Sequence, residues 1–115
     1  MKIYEGISHG DATRHHVYVR TDLESNRLQA LNPRLDLRNH SPSGLSWGYG
    51  GSGPAQLSLA LIADATGDDE LALEVYQDFK WALIQHLPQD GSWVLSDTVI
   101  QVMARKFAKA ALERT

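Results

Sequence analysis

Apolar and polar residues alternate over two short stretches near the start of the chain. In "KIYEGI", Ile3, Glu5 and Ile7 point one way and Lys2, Tyr4 and Gly6 the other; in "HHVYVRT", Val17 and Val19 oppose His16, Tyr18 and Arg20. A period of two predicts strands. The intervening "SHGDATR" is turn chemistry, so residues 2–7 and 15–21 are expected to pair as an antiparallel hairpin. After the polar link "DLESN", "RLQAL" at 27–31 is read as a third, short strand.

Residues 32–53, "NPRLDLRNHSPSGLSWGYGGSG", show neither period and are long for a connection in a compact domain, a length that tends to carry function. Helical spacing then takes over. Pro54 suits the first helical position, with Gly53 or Ser52 as cap and Gln56 reaching back to the free backbone donors. Residues 55–65 are apolar nearly all round, which predicts a central buried helix ended by Gly67. "DDELALEVYQDFKWALIQHL" opens on three acids that favour a helix start, and places Ala72, Val75, Tyr76, Phe79, Leu83 and Leu87 along one face. Pro88 and "QDGS" end it. "WVL" at 93–95 reads as a short strand or extended bridge. Ser96 then caps a last helix with Val99, Ile100, Met103 and Phe107 inward and Arg105, Lys106, Lys109 and Arg114 in its later turns.

Composition narrows the class. With 115 residues, 43% of them apolar and 22% charged, the chain suits one globular domain spanning 1–115. It has no cysteine, which excludes disulfides, thiol catalysis and thiolate metal sites. The start lacks the apolar core of a secretory signal, and "LSLALIADA" is too short to span a bilayer, so a cytoplasmic protein is expected. A net charge of -3 supplies no basic field for nucleic acid or an anionic membrane, and neither is expected as a partner.

Two stretches carry candidate chemistry. "GYGGSGP" (Tyr49, Gly50, Gly51, Ser52 and Gly53 leading into Pro54) precedes a helix. Free backbone N–H groups and the helix dipole make such a start a possible anion site. It lacks the lysine and spacing of a phosphate loop, and no βαβ unit surrounds it. The alternative is that these glycines allow close packing or positive φ, with Trp47 and Tyr49 covering the core. "NPRLDLRNHSP" groups Arg34, Asp36, Arg38, Asn39 and His40. If this stretch is extended, Arg34, Asp36 and Arg38 share one face, which is either an anion-recognising pair of guanidinium forks or a solvated ion-pair group. The five histidines fall in no metal-ligand spacing, so no metal and no cofactor are expected. Trp81 falls off the inward stripe of its helix, beside Gln77 and Lys80; it caps the core edge or marks a contact surface.

Three blocks, "RLDLRNHSP", "WGYGGSGPAQLSLALI" and "YQDFKW", resemble in that order the signature of an uncharacterised prokaryotic family, domain of unknown function family 6166. "KIYEGI" fits the family's N-terminal strand, while the helix after Trp93 lies outside these blocks. The resemblance brings no activity with it. It implies a setting on phages and plasmids as well as in cellular genomes, an accessory role such as modulating a host or defence protein, and it raises the weight of a site at the glycine loop.

The expected fold is α+β, an N-terminal antiparallel hairpin or small three-stranded sheet packed by about three helices. The expected function is that of a small non-enzymatic binding or regulatory protein. Its contact surface would join the 34–53 loop to exposed aromatics, and its partner would be a protein or an anionic small molecule. The alternative is an enzyme or binder for a phosphorylated or nucleotide-like ligand, with anions held at residues 50–53, Arg34 and Arg38 as clamps, and Asp36 or His40 as acid/base. A concave pocket where these side chains converge separates the second reading from the first.

Overall fold

In the computed structural model, residues 1–8, 15–21, 28–42 and 44–114 are described. Strands β1 (Ile3–Ile7) and β2 (His16–Arg20) pair antiparallel, with Ile3 opposite Arg20 and Ile7 opposite His16. The expected hairpin is therefore present, although most of its turn, and the link "DLESN" with Arg27, lie outside the described residues. The third strand, β3, is only Gln29–Ala30, beside β2. Leu31 N–H continues the ladder by donating to the Val17 carbonyl at 2.9 Å, and its side chain enters the core.

The sheet has a fourth member. Strand β4 (Trp93–Ser96) pairs antiparallel with the free edge of β1, giving the order β3-β2-β1-β4. The α+β fold of N-terminal antiparallel strands packed by three helices is as expected, and the stretch at 93–95, read as a strand or a bridge, joins the sheet as its fourth strand. A four-residue strand is too short for a period of two to announce its pairing partner. Gly6 makes the addition possible: it lies opposite Trp93, and a side chain there would run into the indole. The face of β1 turned inward is that of Tyr4 and Gly6, in line with Val17 and Val19 of β2.

Helix α1 (Ser52–Thr66) lies at the centre, with twelve of its fifteen residues buried. It packs against both other helices, α2 (Asp69–Ala82) and α3 (Asp97–Glu113). From the sheet, the fully buried Tyr4 donates its hydroxyl to Asp64 of α1 at 2.6 Å; burial first, then this bond and the Asp64 charge, push the phenol's pKa far up. The cap is Gly51, two residues earlier than Gly53, so Pro54 is third in the helix rather than first. Proline is tolerated there because the first four N–H groups have no partner within the helix. Gly67 ends α1 in the left-handed conformation, φ 68°, donating to the Ala63 carbonyl.

Asp68 caps α2 by accepting from Leu71 N–H at 3.0 Å, and Ala72, Val75, Tyr76 and Phe79 are buried as their spacing predicts. The helix stops at Ala82, short of Leu83 and Leu87, and a single 3-10 turn (Ile84–His86) follows. Residue 88, which would continue the ladder onto the Ile84 carbonyl, is a proline without N–H. That carbonyl accepts from Leu87 N–H at 3.3 Å, closing the 3-10 turn, and from Gly48 N–H at 3.1 Å, and Ile84 takes the buried position. Ser96 caps α3 as expected, accepting from Val99 N–H at 3.2 Å. Ile100 and Ala104 face inward with Met103 and Phe107 beside them, but Val99 is exposed. At 100° per residue it lies too far round the helix from the Ile100 stripe to reach the core. No helix among the described residues is long and apolar enough to cross a membrane.

Candidate functional site

Three residues of the long loop meet α2: Arg34 at Asp69, His40 at Tyr76 and Gly50 at Trp81. Arg34 sits at φ 55°, and the chain turns after it, with Leu37 N–H donating to the Arg34 carbonyl at 3.0 Å. The stretch is therefore not extended, and Arg34, Asp36 and Arg38 do not form one face. Arg34 gives Nε and Nη2 to Asp36, both at 3.1 Å, and Nη1 and Nη2 to Asp69 at 2.9 and 2.8 Å. These bonds hold both carboxyls below their ordinary pKa and raise that of the guanidinium. Arg38 and Asn39 are exposed.

His40 is tied elsewhere. Its backbone N–H donates to Gln56 Oε1 at 2.8 Å, Gln56 Nε2 donates to the Pro33 carbonyl, and His40 Nε2 meets the Tyr76 hydroxyl at 2.7 Å. Gln56 is fully buried, so it does not cap its own helix as expected; it binds the loop to α1 at two points. An isolated buried amide is costly, which is why both its ends are matched to backbone groups.

The glycine tract answers mainly to packing. Trp47 is fully buried, its indole N–H shared between the Pro88 and Gly91 carbonyls at 2.9 and 3.1 Å, its ring stacked on His15 and edge-on to Trp93. It anchors the loop and has no surface to offer a ligand. Of the tract's glycines, only Gly48 has positive φ, 87°, and its Cα side faces the Gln89 backbone. The Tyr49 ring lies across Gly51, and Gly53 is packed against Ser46 Oγ and the Tyr49 hydroxyl, which are themselves bonded at 2.8 Å. The α1 start thus carries a tyrosine over it, where an anion site needs open N–H groups.

What reaches the surface is a different set. The Trp81 indole rests on Gly50: a methyl group at Gly50 would lie 2.9 Å from Cζ3. Lys80 holds its ammonium 4.1 Å from the centre of the same ring, and Gln85 bonds back to the Trp81 carbonyl at 2.9 Å. Trp81 is 53% exposed and Tyr49 40%, and Gly50, on which Trp81 rests, and Ser52 are exposed as well, so two aromatic side chains reach the surface at successive positions of the glycine tract. Trp81 was visible in sequence only as a residue off the inward stripe. That Gly50 is its seat follows from tertiary contact alone.

Arg34 binds Asp69 at the first residue of α2, whereas Gly50 meets Trp81 in its last turn. At 1.5 Å per residue these points are about 18 Å apart. Arg34 therefore cannot clamp an anion held at residues 50–53, and Asp36 and His40 are engaged on separate partners. A groove of about 170 Å³ is lined by His16, Tyr18, Ala30, Pro33 and Leu45 among others, and by none of the predicted site residues.

No curated protein and no solved structure matches the chain. A family model does, over residues 8–106. The match takes in all three quoted blocks; it extends through β4 into α3, beyond them, and leaves β1 outside. It covers most of the chain, and the protein belongs to DUF6166, a family of unknown function.

Proposed function

We propose that this protein is a small binding or regulatory module, without catalytic activity of its own, whose contact surface is built from Tyr49, Gly50, Ser52 and Trp81. The observation that carries this reading is the half-exposed Trp81 indole seated on Gly50 beside an exposed Tyr49. Large aromatic side chains dominate the energetics of protein contacts because they bury much area while losing little rotamer freedom. Both are already held here, Tyr49 by Ser46 and Trp81 by Gly50 and Lys80, so the ordering cost on binding is low. The partner this surface suits is a protein. The reading as an anion-binding enzyme is weakened by the separation of Arg34 from the glycine loop and by the tyrosine over the helix start.

A photoreactive phenylalanine analogue placed at position 49 or 81, with position 109 on α3 as control, tests it in cells of the native host. One discrete adduct formed from both 49 and 81 and absent from 109 is the expected result. Adducts that do not differ between the three positions would rule this surface out.

A further inference from the structure

The outward face of α2 carries more negative charge than its helix start calls for. Glu70, Glu74 and Asp78 follow one another at four-residue intervals, and at 100° per residue Trp81 falls within the same arc of the helix. Opposite to it lie Ala72, Val75 and Phe79, all buried. Among the described residues, none of the three acids has an ion pair or hydrogen bond. The only basic side chain of α2 is Lys80, and its ammonium sits over the Trp81 ring. Like charges four residues apart work against a helix, and Asp78 stands toward the end where the dipole disfavours an anion. Glu70 lies in the first turn, where the dipole favours an acid, but Glu74 and Asp78 have no such compensation; together the three form an anionic strip that ends on an exposed indole.

We infer that this face docks a cationic protein segment: lysine or arginine side chains along Glu70, Glu74 and Asp78, and an apolar group on Trp81. The inference rests on the binding reading above and names the chemistry of its partner. From Glu70 to Trp81 the strip is about 16 Å long, the reach of three helical turns or roughly five extended residues. The Lys80 ammonium already lies over the Trp81 ring, so the indole serves as an apolar anchor and the acids alone select the sign of charge. Nucleic acid is repelled by such a strip. Two copies related by a two-fold axis would set acid against acid; a head-to-tail pairing with Arg105, Lys106 and Lys109 of α3 is the other occupant of matching charge.

The test is a fluorescence titration with a defined probe, a twelve-residue helix-forming peptide bearing lysines at positions i, i+4 and i+8 and leucines beside them, against the same peptide with glutamines for the lysines. Expected is binding of the lysine peptide at least about tenfold tighter at low salt, an advantage that shrinks between about 20 and 200 mM salt as screening shortens to below 10 Å. The triple variant Glu70→Gln, Glu74→Gln, Asp78→Asn should abolish that difference, and Trp81→Ala should weaken both peptides. Equal binding of the two peptides, dependent on Trp81, overturns the charge inference and leaves the aromatic contact surface standing. No binding of the lysine peptide below about 1 mM overturns the inference too, and the crosslinking experiment then decides the surface on its own. Self-association of the wild type that the triple variant loses would assign the strip to a second copy and equally overturn it.

Discussion

Arg34 holds Asp69 through two near-parallel hydrogen bonds, Nη1 to Oδ1 at 2.9 Å and Nη2 to Oδ2 at 2.8 Å, across 35 positions of sequence. The pair fastens the start of the long loop to the first residue of α2. It also converts Arg34 from a candidate ligand clamp into a structural tie.

Stability should accordingly depend on acid through this tie. Asp36 and Asp69 have folded-state pKa values below the ordinary 3.8, because the Arg34 guanidinium donates to both. Depressed carboxylates stabilise the fold above their unfolded pKa, and that stabilisation fades as pH falls through the folded values. The melting temperature of wild type should exceed that of Arg34→Gln at pH 6, and the gap should close below about pH 4. A gap constant from pH 6 to pH 2 would mean that the carboxylates play no part.

The glycines should rank by what their missing side chains would meet. Gly48→Ala meets the Gln89 backbone at a positive φ, and is expected to cost the most, about 2–5 kcal/mol from strain and overpacking together. Gly53→Ala runs into the buried Ser46 hydroxyl and should cost about 1–3 kcal/mol. Gly50→Ala displaces only the exposed Trp81 ring, so chemical denaturation should show the smallest change of the three. The reverse order would remove the packing account of this tract.

Gln56 is buried with both ends of its amide matched. Gln56→Leu keeps the volume but strands the His40 N–H and the Pro33 carbonyl, each worth about 1–3 kcal/mol when left unpaired and buried. Urea denaturation should show a loss of about 2–6 kcal/mol for the two together. Hydrogen exchange at the His40 amide should accelerate as well, which a simple packing defect would not produce.

Among the three tryptophans, Trp47 and Trp93 are buried and Trp81 is half in water. Trp81→Phe should shift the emission to shorter wavelength and remove most acrylamide quenching, while stability changes by less than about 1 kcal/mol. Quenching that persists unchanged would place a different indole at the surface.

The sequence by itself determined the elements whose cause is local. Alternation in "KIYEGI" and "HHVYVRT", the all-round apolar run of α1, the acidic start of α2, the Ser96 cap and the terminating Gly67 all act within a few residues of themselves, and each stands where its pattern put it. Tertiary structure decided whatever joins distant positions. It added β4 to β1 through the space left by Gly6, gave the Ile84 carbonyl beyond α2 a distant donor in Gly48, and turned Gln56 from a cap into a buried bracket. The site divided along the same line. Its residue types were legible in "NPRLDLRNHSP" and "GYGGSGP", but their partners were not. Asp69, Tyr76 and Trp81 lie some 30 or more positions further along the chain, and only a folded helix α2 brings them against that loop.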